Sequence, residues 1–394
     1  MNHSQSLPEP AKDALAHSEK LIARIREEIA ANDGAITFRR YMEMALYEPA
    51  LGYYVAGTHK IGAQGDFVTA PEISPLFSQC IAQQCQDVIQ TLQQDNETNA
   101  CILELGAGSG KMAADILLTL EKQNALPAHY YILDLSPDLK QRQKETLENK
   151  APHLIQLVTW LTQLPEKFEG VIIGNEVLDA MPVDVFTFLK DKVFEHHVIW
   201  HDNKLIEQLQ PASDALTANV KALNIPLEAT PYTSEINPNL NGWFKALANC
   251  LDKGVILLAD YGYPQKEYYL AERNKGTLIC HYQHLVNEAP LLYSGLQDIT
   301  ANVDFTSVAE AADSVGFDVS GFTSQASFLS NSGLEKYFMQ TLDLTPDDQY
   351  KLAQQVRTLS LPSEMGERFK FIALTKDYKK LLLGFKENDQ RYRL

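Results

Sequence analysis

Cysteine is scarce in this sequence, and long apolar runs are missing from it. The 394 residues include five cysteines, an odd number, and none of them forms a Cys-x-x-Cys pair. Such a set argues against a disulfide framework and a zinc ribbon, and it is typical of a reducing compartment. Apolar runs such as Val255–Ala259 fall far short of the roughly 20 residues of a membrane helix. We therefore expect no membrane insertion and, because we see no secretory signal, a cytoplasmic location.

Basic residues are also few relative to acidic ones. The chain has 34 Lys and Arg against 51 Asp and Glu, which gives a net charge of −17. An acidic protein repels nucleic-acid phosphates at long range, so we expect no nucleic-acid partner. Only 20 glycines and 18 prolines accompany 45% hydrophobic residues, which excludes collagen-like and wholly disordered chains. The length allows two or three domains, or one large domain with insertions.

Short apolar strands alternate with amphipathic helices from residue 101 onward. The strand Cys101–Leu105 precedes the helix Met112–Lys122, and the strand Tyr130–Leu135 precedes the helix Pro137–Asn149. This alternation predicts an α/β fold with a mostly parallel sheet and helices on both faces. Alternating apolar residues between 183 and 210 interrupt the pattern and indicate an antiparallel β insertion.

The same patterns divide the chain into two predicted domains. Residues 1–95 are predicted to form N-terminal helices and a lid segment, and residues 96–394 the main domain, with insertions at about 183–236 and 261–304. We also predict a strand at Leu154–Thr159 and a loop-rich stretch from Tyr261 to about Asp304. The histidines lack the paired cysteines or the HExxH pattern of zinc sites, so we predict no metal site.

A glycine loop follows the first strand of the α/β pattern. Residues 102–111 read ILELGAGSGK, so Glu104 precedes glycines at 106, 108 and 110 and a helix follows. Glycines permit a sharp turn and a close approach of a ligand to the backbone. The spacing fits neither the P-loop nor the dinucleotide GxGxxG pattern. It resembles the first motif of class I S-adenosylmethionine (SAM) methyltransferases, although a glycine turn without a ligand is the alternative.

An acid stands at the end of the second strand. Asp134 follows the apolar residues Tyr131–Leu133, 24 residues after Gly110. In open α/β sheets an acid at this place accepts hydrogen bonds from ribose hydroxyls. An Asp at this place could instead cap the helix that follows Ser136. Its register with the glycine loop favours the ligand.

Three longer segments point to a family. They read GDFVTAPEIS from residue 65, NEVLDAMPVD from residue 175 and LQDITANVDF from residue 296. Together they resemble the MidA-like family of class I SAM methyltransferases. This family includes bacterial proteins and the mitochondrial protein arginine methyltransferases that assist assembly of respiratory complex I. The resemblance covers roughly Thr37 to Leu374, with one departure: Asp134 stands where Glu is expected to be common.

The resemblance implies a seven-stranded Rossmann-like sheet, SAM as cofactor and S-adenosylhomocysteine as product, in the bacterial cytoplasm. It also implies a protein substrate that presents an arginine. The predicted cofactor-binding residues are Gly65, Asp66, Phe67, Thr69, Glu104, Gly106, Ala107, Gly108, Gly110, Asp134, Leu135, Ser136 and Asn175. For the segment around Asp66, a structural loop that packs Phe67 on the sheet is the alternative.

Glu176 and Asp179 are the predicted catalytic residues. Methyl transfer is a displacement that depends mainly on placing the nucleophile in line. A guanidinium acceptor needs carboxylates to orient it, because it is a planar fork of N–H donors. The alternative is that Glu176 caps nearby backbone N–H groups and Asp179 caps the next helix.

Two other functions remain open from the sequence. The acceptor could be another protein side chain or a small molecule, because loops build acceptor pockets. The chain could also be an assembly chaperone that binds SAM without essential turnover. The β insertion and the long late loop offer surface for a homodimer, although no single residue argues for one.

Overall fold

The computed structural model describes residues 7–56, 68–96, 99–223, 225, 231–341 and 344–394. The helices are α1 Lys12–Ala31, α2 Phe38–Tyr47, α3 Ala70–Ile73, α4 Pro75–Asn96, α5 Lys111–Lys122, α6 Pro137–Lys150, α7 Asp214–Ala222, α8 Leu240–Cys250, α9 Gln265–Tyr268, α10 Phe305–Asp313, α11 Gln325–Asn331, α12 Leu334–Met339 and α13 Pro346–Ser360. The strands are β1 Ala35–Thr37, β2 Cys101–Leu105, β3 Tyr130–Leu133, β4 Val158–Leu161, β5 Phe168–Asn175, β6 Asp184–Leu189, β7 Lys192–His201, β8 Lys204–Pro211, β9 Tyr232–Ile236, β10 Leu251–Tyr263, β11 Ile279–Tyr282, β12 Leu285–Asn287, β13 Asp298–Thr300, β14 Val303–Asp304, β15 Asp318–Ser324 and β16 Phe369–Lys376.

These elements form two compact units whose segments interleave along the chain. The first unit comprises Met1–Phe67, Asp179–Asn239 and Gln265–Asn302. The second unit comprises Val68–Leu178, Leu240–Pro264 and Val303–Leu394. The predicted domains 1–95 and 96–394 remain a prediction.

The second unit contains the α/β sheet. Within the described residues its strands follow the order β15-β16-β10-β5-β2-β3-β4, with β14 beside β10. In this order, the neighbouring strands β10, β5, β2, β3 and β4 pair in parallel. Strand β16 pairs antiparallel with both β10 and β15. The predicted Rossmann-like α/β class with a mostly parallel sheet is confirmed.

Burial explains why the central strands are continuous apolar runs. All five residues of β2 are buried, and so are seven of the eight in β5. Strands covered on both faces lack the polar alternation of a half-exposed strand. Helices α4 and α5 supply many of the apolar residues of the core cluster that includes these strands. Glu104 is the exception in β2, a carboxyl group where the pattern calls for an apolar side chain.

The first unit contains the predicted antiparallel insertion. Its sheet has the order β1-β7-β6-β9, with β8 paired to β7. Lys190 and Asp191, between β6 and β7, have φ angles of 48° and 63°. Asp202 and Asn203, between β7 and β8, have φ angles of 47° and 60°. Two consecutive left-handed residues form the tight turn that suits the twist of a hairpin, so the β insertion is confirmed.

Two predictions of local structure are corrected, and three helices were missed. Residues Pro152–Leu157 form a 3₁₀ helix, and the strand begins only at Val158, so the predicted strand at Leu154–Thr159 is wrong in its first four residues. The predicted loop-rich stretch after Tyr261 contains a sheet of order β12-β11-β13. Helices α11 to α13 were not predicted.

No helix of the described ranges is long and apolar enough to span a bilayer.

Candidate active site

The carboxyl ends of three neighbouring strands bring most of the predicted site residues together. Parallel pairing aligns Leu105 of β2 with Leu133 of β3 and with Gly174 of β5. The glycine loop, Asp134 and Asn175 follow directly at this edge of the sheet. β3 lies on one side of β2 and β5 lies on the other, so the order in which strands are added to the sheet reverses at β2. Ligands of open α/β sheets bind at this kind of crevice.

All three glycines of the loop have a left-handed backbone conformation. The φ angles of Gly106, Gly108 and Gly110 are 64°, 53° and 80°, in the left-handed region that favours glycine. A Cβ atom at Gly110 would lie 2.8 Å from the Cα of Gln143 in α6. Helix α5 begins at the next residue, Lys111. The loop therefore presents bare backbone at the start of a helix, which suits a closely approaching ligand.

Glu104 is fully buried beside this loop. The Tyr130 hydroxyl donates a hydrogen bond of 2.6 Å to its Oε2. Its Oε1 is buried and has no hydrogen-bond partner among the described residues. The pKa of Glu104 is raised to about 7, mainly by burial; the Tyr130 hydrogen bond lowers the pKa, and the charge of Asp134 raises it by a smaller amount. An orphaned carboxylate oxygen is costly unless a donor from a ligand reaches it.

Asp134 is nearly buried and firmly held. Its Oδ1 accepts the backbone N–H of Ser136 at 3.0 Å, and its Oδ2 accepts the side-chain amide of Gln143 at 2.8 Å. Burial raises its pKa, and these two hydrogen bonds oppose the rise. Ser136 caps α6 through its hydroxyl, which accepts the N–H of Leu139 at 3.3 Å. The helix cap is therefore Ser136, so the capping alternative for Asp134 does not account for it.

An exposed apolar side chain lies next to Asp134. Leu135 is 68% exposed, although it lies between the buried residues Asp134 and Ser136. An apolar surface beside a buried acid suits a nucleoside, which has a flat base attached to a hydroxylated ring. Ala107, within the glycine loop, is buried.

The turn after β5 holds Glu176 in an unusual conformation. Its φ angle is 53°, which is uncommon for a residue other than glycine, asparagine or aspartate. The N–H of Glu176 donates to the Ala259 carbonyl at 2.9 Å, and the Asn175 amide donates to Glu176 Oε1 at 3.1 Å. The Oδ1 of Asn175 is buried with no hydrogen-bond partner in the described part of the chain. Strained backbone of this kind clusters at functional sites.

Asp260 fixes the same turn from the end of β10. It is fully buried, and its two carboxylate oxygens accept the N–H groups of Leu178 and Tyr261, each at 2.9 Å. No motif of the sequence revealed this role. An acid directly after the apolar run Val255–Ala259 was the available signal.

The segment before α4 contacts the glycine loop through side chains that were not predicted. Glu72 of α3 accepts the Ser109 hydroxyl, and its backbone carbonyl accepts Lys111 Nζ at 2.8 Å. Thr69 precedes α3 and is partly buried, three residues from Glu72. Its predicted contact with the cofactor remains a prediction. The predicted residues Gly65, Asp66 and Phe67 lie outside the described residues.

Asp179 belongs to the first unit, and Glu176 belongs to the second. Asp179 is buried, and its carbonyl accepts the N–H of Ala301 at 3.0 Å. Its predicted catalytic role remains a prediction. Gln143 is the main residue of the site that the sequence did not suggest, because a buried glutamine in a polar helix leaves no periodic signal.

Comparisons with known proteins agree with this geometry. The model of a family described as "Putative S-adenosyl-L-methionine-dependent methyltransferase" matches residues 80–323. A mitochondrial protein named protein arginine methyltransferase NDUFAF7 from Danio rerio is 26% identical over 383 residues, 91% of this chain and 87% of that protein. The human protein of the same name is 27% identical over 371 residues, 86% of this chain and 80% of that protein.

A solved structure covers almost the whole chain. It is a protein from Burkholderia thailandensis bound to S-adenosyl-homocysteine, 39% identical and with a TM-score of 0.92. The match covers 99% of this chain and 100% of that one. A second structure from Burkholderia thailandensis gives a TM-score of 0.90 at 39% identity.

The site residues fit the cofactor that these comparisons indicate. SAM has an ammonium group that only donates hydrogen bonds, and the orphaned Glu104 Oε1 is a buried acceptor. Its ribose hydroxyls suit Asp134, and its adenine suits the exposed Leu135. The chain belongs to the MidA-like family of class I methyltransferases, and SAM is its cofactor.

Proposed function

We propose that this methyltransferase methylates a guanidinium nitrogen of an arginine in a protein substrate. The observation that carries the proposal is the fixed carboxylate of Glu176 at the end of β5, held by Asn175 on a strained turn. The names of the mitochondrial relatives, which are protein arginine methyltransferases, support the same acceptor. The family resemblance makes a subunit of a respiratory complex the first substrate to test.

Different residues of the second unit would bind different parts of the cofactor. Glu104 Oε1 would accept the ammonium group, and the backbone of Gly106 and Gly108 would lie along the amino-acid part. Asp134 would accept the ribose hydroxyls, and Leu135 would contact the adenine. When bound, SAM supplies an electrophilic methyl group on a sulfonium.

Glu176 would act on the acceptor. A carboxylate accepts two N–H groups of a guanidinium in a bidentate arrangement, which orients the plane of the group and compensates its positive charge. The carboxylate would also attract the proton that the nitrogen loses on substitution. Because the turn is held by Asn175, Ala259 and Asp260, the carboxylate is oriented before the substrate arrives.

The test uses SAM with a tritiated methyl group and a lysate from a strain that lacks the gene. Hydrolysis of labelled protein to amino acids identifies the acceptor. We expect methylarginine with the wild type, and a loss of more than about tenfold in Glu176→Gln while S-adenosylhomocysteine binding is retained. Glu148→Gln, an exposed change on α6, is the control and should behave as the wild type.

Each remaining outcome contradicts the proposal in a different way. Label in another amino acid or in a small molecule would change the acceptor. Full methyl transfer by Glu176→Gln would remove that residue from catalysis. Normal cell function without any transfer would favour the assembly chaperone that the sequence left open.

A further inference from the structure

The side-chain amide of Gln143 connects three parts of the cofactor site. Gln143 lies in α6 and is fully buried. Its Nε2 donates to Asp134 Oδ2 at 2.8 Å and to the Gly108 carbonyl at 3.2 Å. Its Oε1 accepts the indole N–H of Trp160 in β4 at 3.0 Å. Both N–H groups and the oxygen of the amide are therefore engaged.

Only one orientation of this amide satisfies its neighbours. The indole N–H of Trp160 can only donate, and the ionised carboxylate of Asp134 can only accept. A flipped amide would place its NH₂ group against the indole N–H and its oxygen against the carboxylate. The orientation follows from the chemistry of the partners and does not depend on which atom was assigned as nitrogen.

Helix α6 packs closely on the glycine loop at Gln143. A Cβ atom at Gly110 would lie 2.8 Å from the Cα of Gln143 and 3.1 Å from its carbonyl oxygen. The backbone of α6 therefore packs directly on the loop. From this position a glutamine side chain spans the distance to both the loop carbonyl and Asp134.

The contacts leave the Asp134 carboxylate little freedom. Ser136 N–H occupies one oxygen and Gln143 occupies the other, so the group cannot rotate without breaking a hydrogen bond. A carboxylate has about four acceptor positions, so capacity remains for a hydroxylated ligand. In a nearly buried site this orientation determines whether a ligand hydroxyl meets a lone pair.

We propose that Gln143 is a positioning residue for the adenosine part of SAM. Its side-chain amide holds the Asp134 carboxylate in the orientation in which that carboxylate accepts the ribose hydroxyls. The inference rests on the proposed role of Asp134. Gln143 also holds the Gly108 peptide beside the same carboxylate. The same amide accepts the indole N–H of Trp160 and so connects strand β4 to Asp134 and Gly108.

The test measures recognition of the ribose hydroxyls separately from overall affinity. The probes are 5′-methylthioadenosine and its 2′,3′-dideoxy analogue, titrated calorimetrically into the full chain. The wild type should prefer the ribose form by about tenfold or more, as expected for hydrogen bonds to a charged group. In Gln143→Met the ratio should fall below about threefold. Gln141→Met is the matched control and should keep the wild-type ratio, since Gln141 is exposed on the same helix and its amide donates to Glu145.

The two assignments fail in distinguishable ways. If Asp134→Ala keeps the wild-type ratio, Asp134 does not read the ribose and the proposed site is wrong. If Asp134→Ala loses the ratio but Gln143→Met keeps it, or weakens both probes equally, only the role of Gln143 is overturned. Should Gln143→Met fail to fold, Trp160→Phe decides, because it removes the donor that fixes the amide. We expect Trp160→Phe to reduce the ratio at least twofold, and an unchanged ratio overturns the inference.

Discussion

The pH dependence of cofactor binding follows from the carboxyl group of Glu104. Burial raises its pKa to about 7 without ligand, so the group is largely protonated at pH 6. Binding an ammonium group at the orphaned oxygen requires the charged form. Binding should therefore tighten as pH rises toward the pKa and weaken as pH falls below it.

The size of the effect follows from the titration of one group. With a pKa of about 7, roughly half of Glu104 is ionised at pH 7.0 and roughly a tenth at pH 6.0. The affinity for S-adenosylhomocysteine should thus be about fivefold higher at pH 7.0 than at pH 6.0. Its α-amino group, like that of a free amino acid, titrates above this interval and stays protonated within it.

Calorimetry at both pH values in buffers of different ionisation heat measures affinity and proton release together. At pH 6.0 we expect release of about one proton per ligand bound. Two controls isolate Glu104: the variant Glu104→Gln, whose affinity should not change with pH, and 5′-methylthioadenosine, which has no ammonium group. The reasoning is refuted if wild-type affinity is the same at both pH values, or if 5′-methylthioadenosine shows the same change.

Three further predictions concern other residues of the site. Tyr130→Phe removes a hydrogen bond that lowers the pKa of Glu104, so the same titration should show its midpoint at higher pH and weaker binding at pH 7.0; an unmoved midpoint would contradict the link. Gly110→Ala should lower the melting temperature and the affinity more than Gly316→Ala, because both have a left-handed φ but only the first Cβ meets a neighbour. Equal losses of melting temperature and affinity in the two glycine variants would show that helix α6 moves away from the added methyl group at little cost. Asp260→Asn should cost about 1–3 kcal/mol in urea unfolding, since an amide cannot accept both buried N–H groups, and an unchanged midpoint would argue against that role.

The sequence predicted those parts of the fold that depend on local pattern. The continuous apolar residues of β2, the glycines after it and the alternation through β6 and β7 each reflect one element and its immediate surroundings. The left-handed φ angles of Gly106, Gly108 and Gly110 explain why glycine occurs at these three positions, which made the loop recognisable from the sequence.

The remaining features depend on contacts between distant residues. Gln143 reaches Gly108 across 35 positions, and Asp260 reaches Leu178 across 82, which no local period can reveal. Pro152 begins a 3₁₀ helix where the apolar spacing suggested a strand, because short apolar runs fit either structure. The strands of the β12-β11-β13 sheet have only three or four residues each, too few for a period to show.

The most direct test of the account is the methylarginine content of cellular protein. A strain without the gene would receive the wild type, Glu176→Gln or an empty vector, and hydrolysed protein would be analysed by mass spectrometry. We predict a methylarginine signal with the wild type that is absent with the variant and with the vector. The same methylarginine content in all three strains would contradict arginine methylation by this chain.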